Sequence, residues 1–193
     1  MLNLLINSLV GWLLIVILLV FLATIVVAYF SFAPWLPSRQ KDLPRIFALA
    51  GLRKGELFYD LGCGDGKLVF YANQHYGART IGLELIFPFY LICKIRQILA
   101  GNRQVIFKFK NLFHENLSQA DVVYIFGTPR TVNGQLKEKL AKELKVGAKV
   151  ISYAFAINDW QPLKVDKPTE KDVSIYLYQK PFAKAKSQKR LKS

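Results

Sequence analysis

Residues 57–66 read Leu-Phe-Tyr-Asp-Leu-Gly-Cys-Gly-Asp-Gly, and the next acid after Asp65 is Glu84. An apolar run enters a turn with glycine at every second position, a helix-like stretch follows, and a second apolar run ends in an acid. Gly62, Gly64 and Gly66 let the backbone turn sharply and approach a ligand without a Cβ in the way. A helix starting near Gly66 aims free amides into that turn. This arrangement restricts the chain to a doubly wound α/β domain that holds an adenosine-containing ligand at its first strand-to-helix turn. Asp60 and Asp65 flank the turn and would repel a diphosphate, so they suit a ligand with a cationic amino-acid moiety. Glu84 is placed to accept the hydroxyls of a ribose.

The rest of the chain supplies matching elements. Strands are expected at 57–61, 80–85, 105–110, 121–126 and 149–155, with helices at 46–52, 66–76, 87–100 and 132–144. Lys137, Glu138, Lys139, Lys142 and Glu143 are expected on the wet face of the last helix. Segments 162–165 and 172–179 read as late strands without a long helix between them, which fits an antiparallel edge. Alternating strands and helices predict a mostly parallel sheet.

Positions 2–38 contain no Asp, Glu, Lys or Arg. Residues 11–30 are apolar, and twenty helical residues match the about 30 Å of bilayer hydrocarbon. Trp12 lies near one end of the run, Tyr29 and Trp35 near the other, as in interfacial belts. Arg39, Lys41, Arg45, Arg53 and Lys54 follow it, so the expectation is a single-pass membrane protein with its C-terminal domain in the cytoplasm. The expected organisation is a transmembrane anchor at 1–33, a proline-containing linker at 34–55, the α/β domain at 56–181 and a basic, mobile tail at 182–193. Cys63 and Cys93 are expected as free thiols. The chain holds 27 Lys+Arg against 13 Asp+Glu, a net charge of +14. With a bilayer expected as partner, contact with anionic lipid ranks above nucleic acid, because no basic stripe is interleaved with aromatics.

Asp60-Leu-Gly-Cys-Gly-Asp-Gly66 resembles motif I of the class I S-adenosylmethionine-dependent methyltransferases, and Glu84 resembles the acid that follows it. The resemblance implies a seven-stranded, Rossmann-like sheet. It also implies that Gly62, Gly64 and Gly66 wrap the methionine part of S-adenosyl-L-methionine, that Asp60 or Asp65 holds its amino end, and that Glu84 binds its ribose. Asn111-Leu112 stands where the family often has an Asp against the adenine, and Asn111 departs from that pattern. Pro34-Trp-Leu-Pro-Ser38, residues 62–69, 147–152 and 155–160 are similar to the membrane-anchored protein-lysine methyltransferases. That group includes mitochondrial enzymes acting on the ATP synthase c-ring protein and the adenine nucleotide translocase. Ile125-Phe-Gly-Thr-Pro129 lacks the Asn/Asp-Pro-Pro motif of enzymes that methylate planar amides or exocyclic amines. Pro129 matches a proline in the lysine-methylating relatives, while Gly127 and Thr128 depart from them.

The implied activity is N-methylation of lysine in a membrane or membrane-associated protein. Methylation of a small molecule or lipid, methylation of RNA, and a non-catalytic cofactor-binding scaffold stand as alternatives. A neutral nucleophile must meet the methyl in line with the sulfur, and an aromatic pocket lowers the cost of deprotonating an ammonium. Tyr153 and Trp160 are therefore candidate catalytic residues, and the resemblance adds Pro129. Phe126 joins the cofactor-binding set with Asp60, Gly62, Gly64, Asp65, Gly66, Glu84, Asn111 and Leu112. Pro34, Pro37 and Phe155 are candidate acceptor contacts. His75 and His114 form no pair, and no spacing suggests a metal site.

Overall fold

The computed structural model describes residues 2–30 and 37–183, with side-chain surroundings in the first stretch given for residues 7–23. Pro34, Trp35 and the tail from residue 184 onward lie outside the described residues. Helix α1 (Leu2–Phe30) precedes α2 (Leu43–Ala50). Then follow β1 (Leu57–Leu61), α3 (Lys67–Tyr76), β2 (Arg79–Glu84), α4 (Phe87–Ala100), β3 (Val105–Phe109) and β4 (Val122–Ile125). A short α5 (Pro129–Thr131), α6 (Lys137–Glu143), β5 (Lys149–Tyr153), β6 (Lys164–Asp166) and β7 (Ile175–Gln179) follow among the described residues.

The seven strands form one sheet in the order β3-β2-β1-β4-β5-β7-β6. β1 to β5 are parallel, and β7 runs antiparallel to both β5 and β6. Side chains alternate across the sheet. Tyr59, Leu61, Val123, Ile125 and Val150 face Leu136 and Leu140, whereas Phe58, Val122, Tyr124, Ile151 and Tyr153 face α2 and α3. With both faces covered, the central strands read as near-continuous apolar runs.

Among the described residues, no helix is long and apolar enough to cross a membrane. The expected transmembrane helix is corrected on this finding. With it go the single-pass membrane localisation with a cytoplasmic domain, the bilayer as partner and the contact with anionic lipid.

Three local expectations also change. α2 begins at Leu43 rather than 46, because Pro44 falls in its first turn, where the missing N–H costs nothing. The helix expected over 132–144 is interrupted by a wide-turn segment, Val132–Leu136, in which Gly134 adopts φ −96° and ψ −132°. Lys139 is buried rather than wet. Its Nζ donates to the Glu115 carbonyl and to Glu143 Oε1, each at 2.6 Å.

Candidate functional site

β1 leads toward β2 and β4 toward β5, so the connections diverge at the centre of the sheet. Open parallel sheets take ligands at such a switch point, beyond the carboxyl ends of the strands. Five segments converge there: residues 62–66 after β1, 85–86 after β2, 110–112 after β3, 126–129 after β4 and 154–155 after β5.

The glycine turn is held rigidly. Gly62 N and Cys63 N both donate to the Leu83 carbonyl, at 3.0 and 2.9 Å, and Gly66 N donates to Cys63 O at 2.8 Å. Gly62, Gly64 and Gly66 have φ of 98°, 54° and 76°. At Gly66 a Cβ would lie 2.7 Å from the Phe107 ring and 2.9 Å from Cys93 Sγ, so both backbone and space demand glycine. Asp65 Oδ1 accepts from Lys67 N at 3.3 Å, at the start of α3.

Glu84 ties β2 into this turn. Its Oε2 accepts from Gly64 N at 2.8 Å, and its Oε1 from Leu85 N at 2.9 Å and Ile86 N at 2.7 Å. Burial pushes its carboxyl up, and the three amides oppose that. Asp60 is 2% exposed, and among the described residues no protein donor engages its carboxylate. Burial, then the neighbouring Glu84 and Asp65, push Asp60 up to about 8. Three carboxyl groups thus surround one turn, with the most buried of them lacking a donor. A cationic group seated there would supply what Asp60 lacks.

Asn111 Oδ1 accepts from Phe113 N at 3.0 Å and caps a short helical turn. Leu112 beside it is buried in the core.

On the other side of the switch point, Phe126 and Tyr153 meet edge to face with centroids 4.8 Å apart. Tyr153 donates its phenol to Asp42 Oδ2 at 2.7 Å. Burial, then that hydrogen bond, push Tyr153 up to about 12, so it remains protonated. Tyr124 shares a 2.6 Å hydrogen bond with Ser38 Oγ. Pro37, next to Ser38, is exposed, as is Pro129 at the start of α5, and Phe155 is 37% exposed.

Trp160 does not join this group. It stacks on Phe182 at 3.6 Å and meets Tyr178 edge-on at 5.8 Å, in the core on the opposite face from Tyr153. With Lys137, Asp159 and Phe182 it lines a groove of about 660 Å³ that no residue of the glycine turn enters. An indole after β5 suggests a pocket wall, but the ring is used in packing. Sequence reasoning misses the contacts that Ser38, Asp42 and Tyr124 make beside this site. Their partners lie far away along the chain, and no local pattern signals them. His75 and His114 are both exposed, and Cys63 and Cys93 are buried free thiols. Among the described residues, no group of three or more His, Cys, Asp or Glu is placed to hold a metal ion.

Comparison with known proteins places this geometry among methyltransferases. The model of the ANTKMT methyltransferase domain matches residues 60–164. A protein-lysine N-methyltransferase of Saccharolobus islandicus is 33% identical over 161 residues, covering 78% of this chain and 96% of that protein. The adenine nucleotide translocase lysine N-methyltransferase of Mus musculus is 30% identical over 133 residues, covering 68% of this chain and 57% of that protein. The chain thus spans nearly the whole archaeal relative but little more than half of the mouse one. A solved RNA methyltransferase from Salinibacter ruber, in complex with S-adenosyl-L-homocysteine, superposes with a TM-score of 0.69 at 26% identity, covering 82% of this chain and 100% of that chain. That likeness overturns the ranking of nucleic acid below lipid as a partner.

Proposed function

The chain belongs to the ANTKMT methyltransferase domain family, a group with the class I fold that depends on S-adenosyl-L-methionine, and from that premise we propose that it methylates the side-chain nitrogen of lysine in proteins. The observation carrying this reading is the match to the archaeal protein-lysine N-methyltransferase along 96% of that protein's length.

The residues present fit the cofactor. When bound, it supplies a methyl group on a sulfonium, ready for transfer to a nucleophile. Asp60, buried and without a protein donor, would take the ammonium of the amino-acid moiety. Gly62, Gly64 and Gly66 would let the backbone close on that moiety, with Asp65 at the rim. A carboxylate offers about four acceptor positions, and Glu84 already uses three. It would therefore accept one ribose hydroxyl directly. Leu112 and Asn111 border the place expected for the base.

Phe126 and Tyr153 would wall the acceptor side, with Pro129, Phe155 and Pro37 at its mouth. An ammonium desolvated against two aromatic rings loses its proton more readily, which is what a lysine must do before it attacks. The Tyr153 phenol, held as a donor to Asp42, stays neutral there.

A second reading, methylation of RNA, is favoured by one observation: 26% identity to the Salinibacter ruber RNA methyltransferase over that chain's whole length. One experiment separates the two. The purified chain is incubated with methyl-tritiated S-adenosylmethionine and either total protein or total RNA from its source cells. Nε-methyllysine in the protein hydrolysate supports the first reading. Label that is released only by nuclease overturns it.

A further inference from the structure

A hydrogen-bonded chain that the glycine turn does not use runs from α2 to the ends of three strands. Tyr153, the last residue of β5, donates to Asp42 Oδ2 at 2.7 Å. Asp42 is 1% exposed, and its other oxygen takes Arg45 Nη1 at 2.8 Å. Arg45 continues to Asp166 Oδ2 at 2.8 Å on β6, and to the Asp166 and Val173 carbonyls at 3.3 and 3.2 Å. Both oxygens of a deeply buried carboxylate are thus engaged by side-chain donors.

Packing alone does not require an acid at this position. Leu43, Ile46, Phe47 and Ala50 already bury α2 against the sheet, and a buried ion pair is weak as a source of stability. The acid does something an apolar residue cannot: it grips the Tyr153 hydroxyl. The Tyr153 ring lies edge to face with Phe126 and 6.3 Å from the Tyr124 ring. Tyr124 is in turn the register partner of Asp60 across β1 and β4. The ring that Asp42 holds therefore packs against Phe126 and against Tyr124, whose strand pairs with the strand of Asp60.

We propose that Asp42 is a positioning residue for methyl transfer: by holding the Tyr153 phenol it sets the ring against Phe126 and so fixes the wall along which the acceptor nitrogen approaches. The inference rests on the reading that the acceptor enters between the ends of β4 and β5. Arg45 has the supporting task of keeping Asp42 oriented, through its own anchors on β6 and before β7.

The test uses the full chain and the variants Asp42→Ala, Asp42→Asn, Tyr153→Phe and the Asp42→Ala/Tyr153→Phe pair. Cofactor affinity is read by calorimetry. Rates are read with methyl-tritiated S-adenosylmethionine and poly-L-lysine, and ring order by 19F NMR of 3-fluorotyrosine-labelled protein. Asp42→Ala should leave cofactor Kd within about twofold and lower kcat about 10- to 100-fold, as a small misplacement of a reacting group does. It should also broaden or split the Tyr153 fluorine line. Asp42→Asn should restore most of the rate, because with its oxygen turned to Arg45 its amide NH₂ can donate to the Tyr153 hydroxyl. The pair should be no slower than Tyr153→Phe alone, because both changes remove one interaction. Where Asp42→Ala does not fold, Asp42→Leu fills the space and gives the same readouts. Folded Asp42→Ala or Asp42→Leu with an unchanged fluorine line, or a rate loss that adds to that of Tyr153→Phe, overturns the proposal. If Tyr153→Phe is impaired but Asp42→Ala is not, the positioning role alone fails. If Tyr153→Phe keeps the full rate, the acceptor reading fails with it.

Discussion

Gly64 donates its backbone amide to Glu84 Oε2 at 2.8 Å, which makes the turn after β1 and the end of β2 one hydrogen-bonded unit. The two positions lie 20 residues apart in the chain. The acid that would meet the ribose is therefore also a structural part of the loop that would meet the methionine moiety. Disturbing either partner should be felt by both.

Glu84→Gln tests this coupling. A carboxamide presents one acceptor oxygen and one NH₂ group, so it cannot accept from the Gly64 amide on one side and the Leu85 and Ile86 amides on the other. Cofactor affinity should fall about tenfold or more, the loss expected for one or two charge-assisted hydrogen bonds. Titration calorimetry reads this directly. Glu84→Gln with unchanged affinity would mean that Glu84 faces no part of the ligand.

Gly66→Ala should cost stability even without ligand. The position has φ +76°, and the added methyl would press on the Phe107 ring and Cys93 Sγ at under 3.0 Å. Strain plus overpacking is worth about 2–4 kcal/mol, which lowers Tm by roughly 5–12 °C in a domain of this size. A thermal melt followed by circular dichroism checks it, and Gly134→Ala serves as a comparison in open space.

Asp60 sets a pH dependence whose sign is fixed. Its folded carboxyl titrates at about 8, above the ordinary 3.8. Between those values the folded state holds a proton that the unfolded chain has lost. The group's contribution to stability is thus full below about pH 4 and is lost as pH rises through about 8. Asp60→Asn should flatten that slope in urea titrations from pH 5 to 9. A bound ammonium favours the ionised form. Cofactor affinity should therefore rise from pH 6 to 8, with about one proton released on binding at pH 7. Calorimetry in buffers of different ionisation enthalpy measures that proton.

Lys139→Met should destabilise the fold without affecting the ligand. Its ammonium is buried and shared between the Glu115 carbonyl and Glu143. Methionine keeps much of the stem's packing but leaves Glu143 without that cation, so a loss of about 1–3 kcal/mol is expected. Cofactor affinity should stay within about twofold, as read by calorimetry.

The parts of this molecule that are legible in the sequence are local. The glycine turn announces itself because each residue's conformational task is set by its neighbours, and the strand-helix alternation follows from periodicity. The helix expected at 87–100 is found at Phe87–Ala100, closed by Gly101 in a left-handed conformation. The proposed acceptor side is less legible because its contacts are long-range. Asp42 and Tyr153 are 111 residues apart, and Ser38 and Tyr124 are 86 apart. Charge pattern misleads at Lys139, where a lysine in a charged run turns inward to a carbonyl. Aromatic character misleads at Trp160, where Phe182 takes up one face of the ring. The apolar N-terminal run suggests a membrane span from length and composition, and that expectation does not stand among the described residues.

We propose that Asp60, buried in a glycine turn with no protein donor among the described residues, holds the cationic end of S-adenosylmethionine. The most direct measurement is calorimetric binding of S-adenosylmethionine and of methylthioadenosine, which lacks the amino-acid moiety, to the wild-type chain and to Asp60→Asn. Asp60→Asn should weaken S-adenosylmethionine binding about tenfold or more and leave methylthioadenosine binding unchanged. Equal loss for both ligands, or loss for neither, would contradict it.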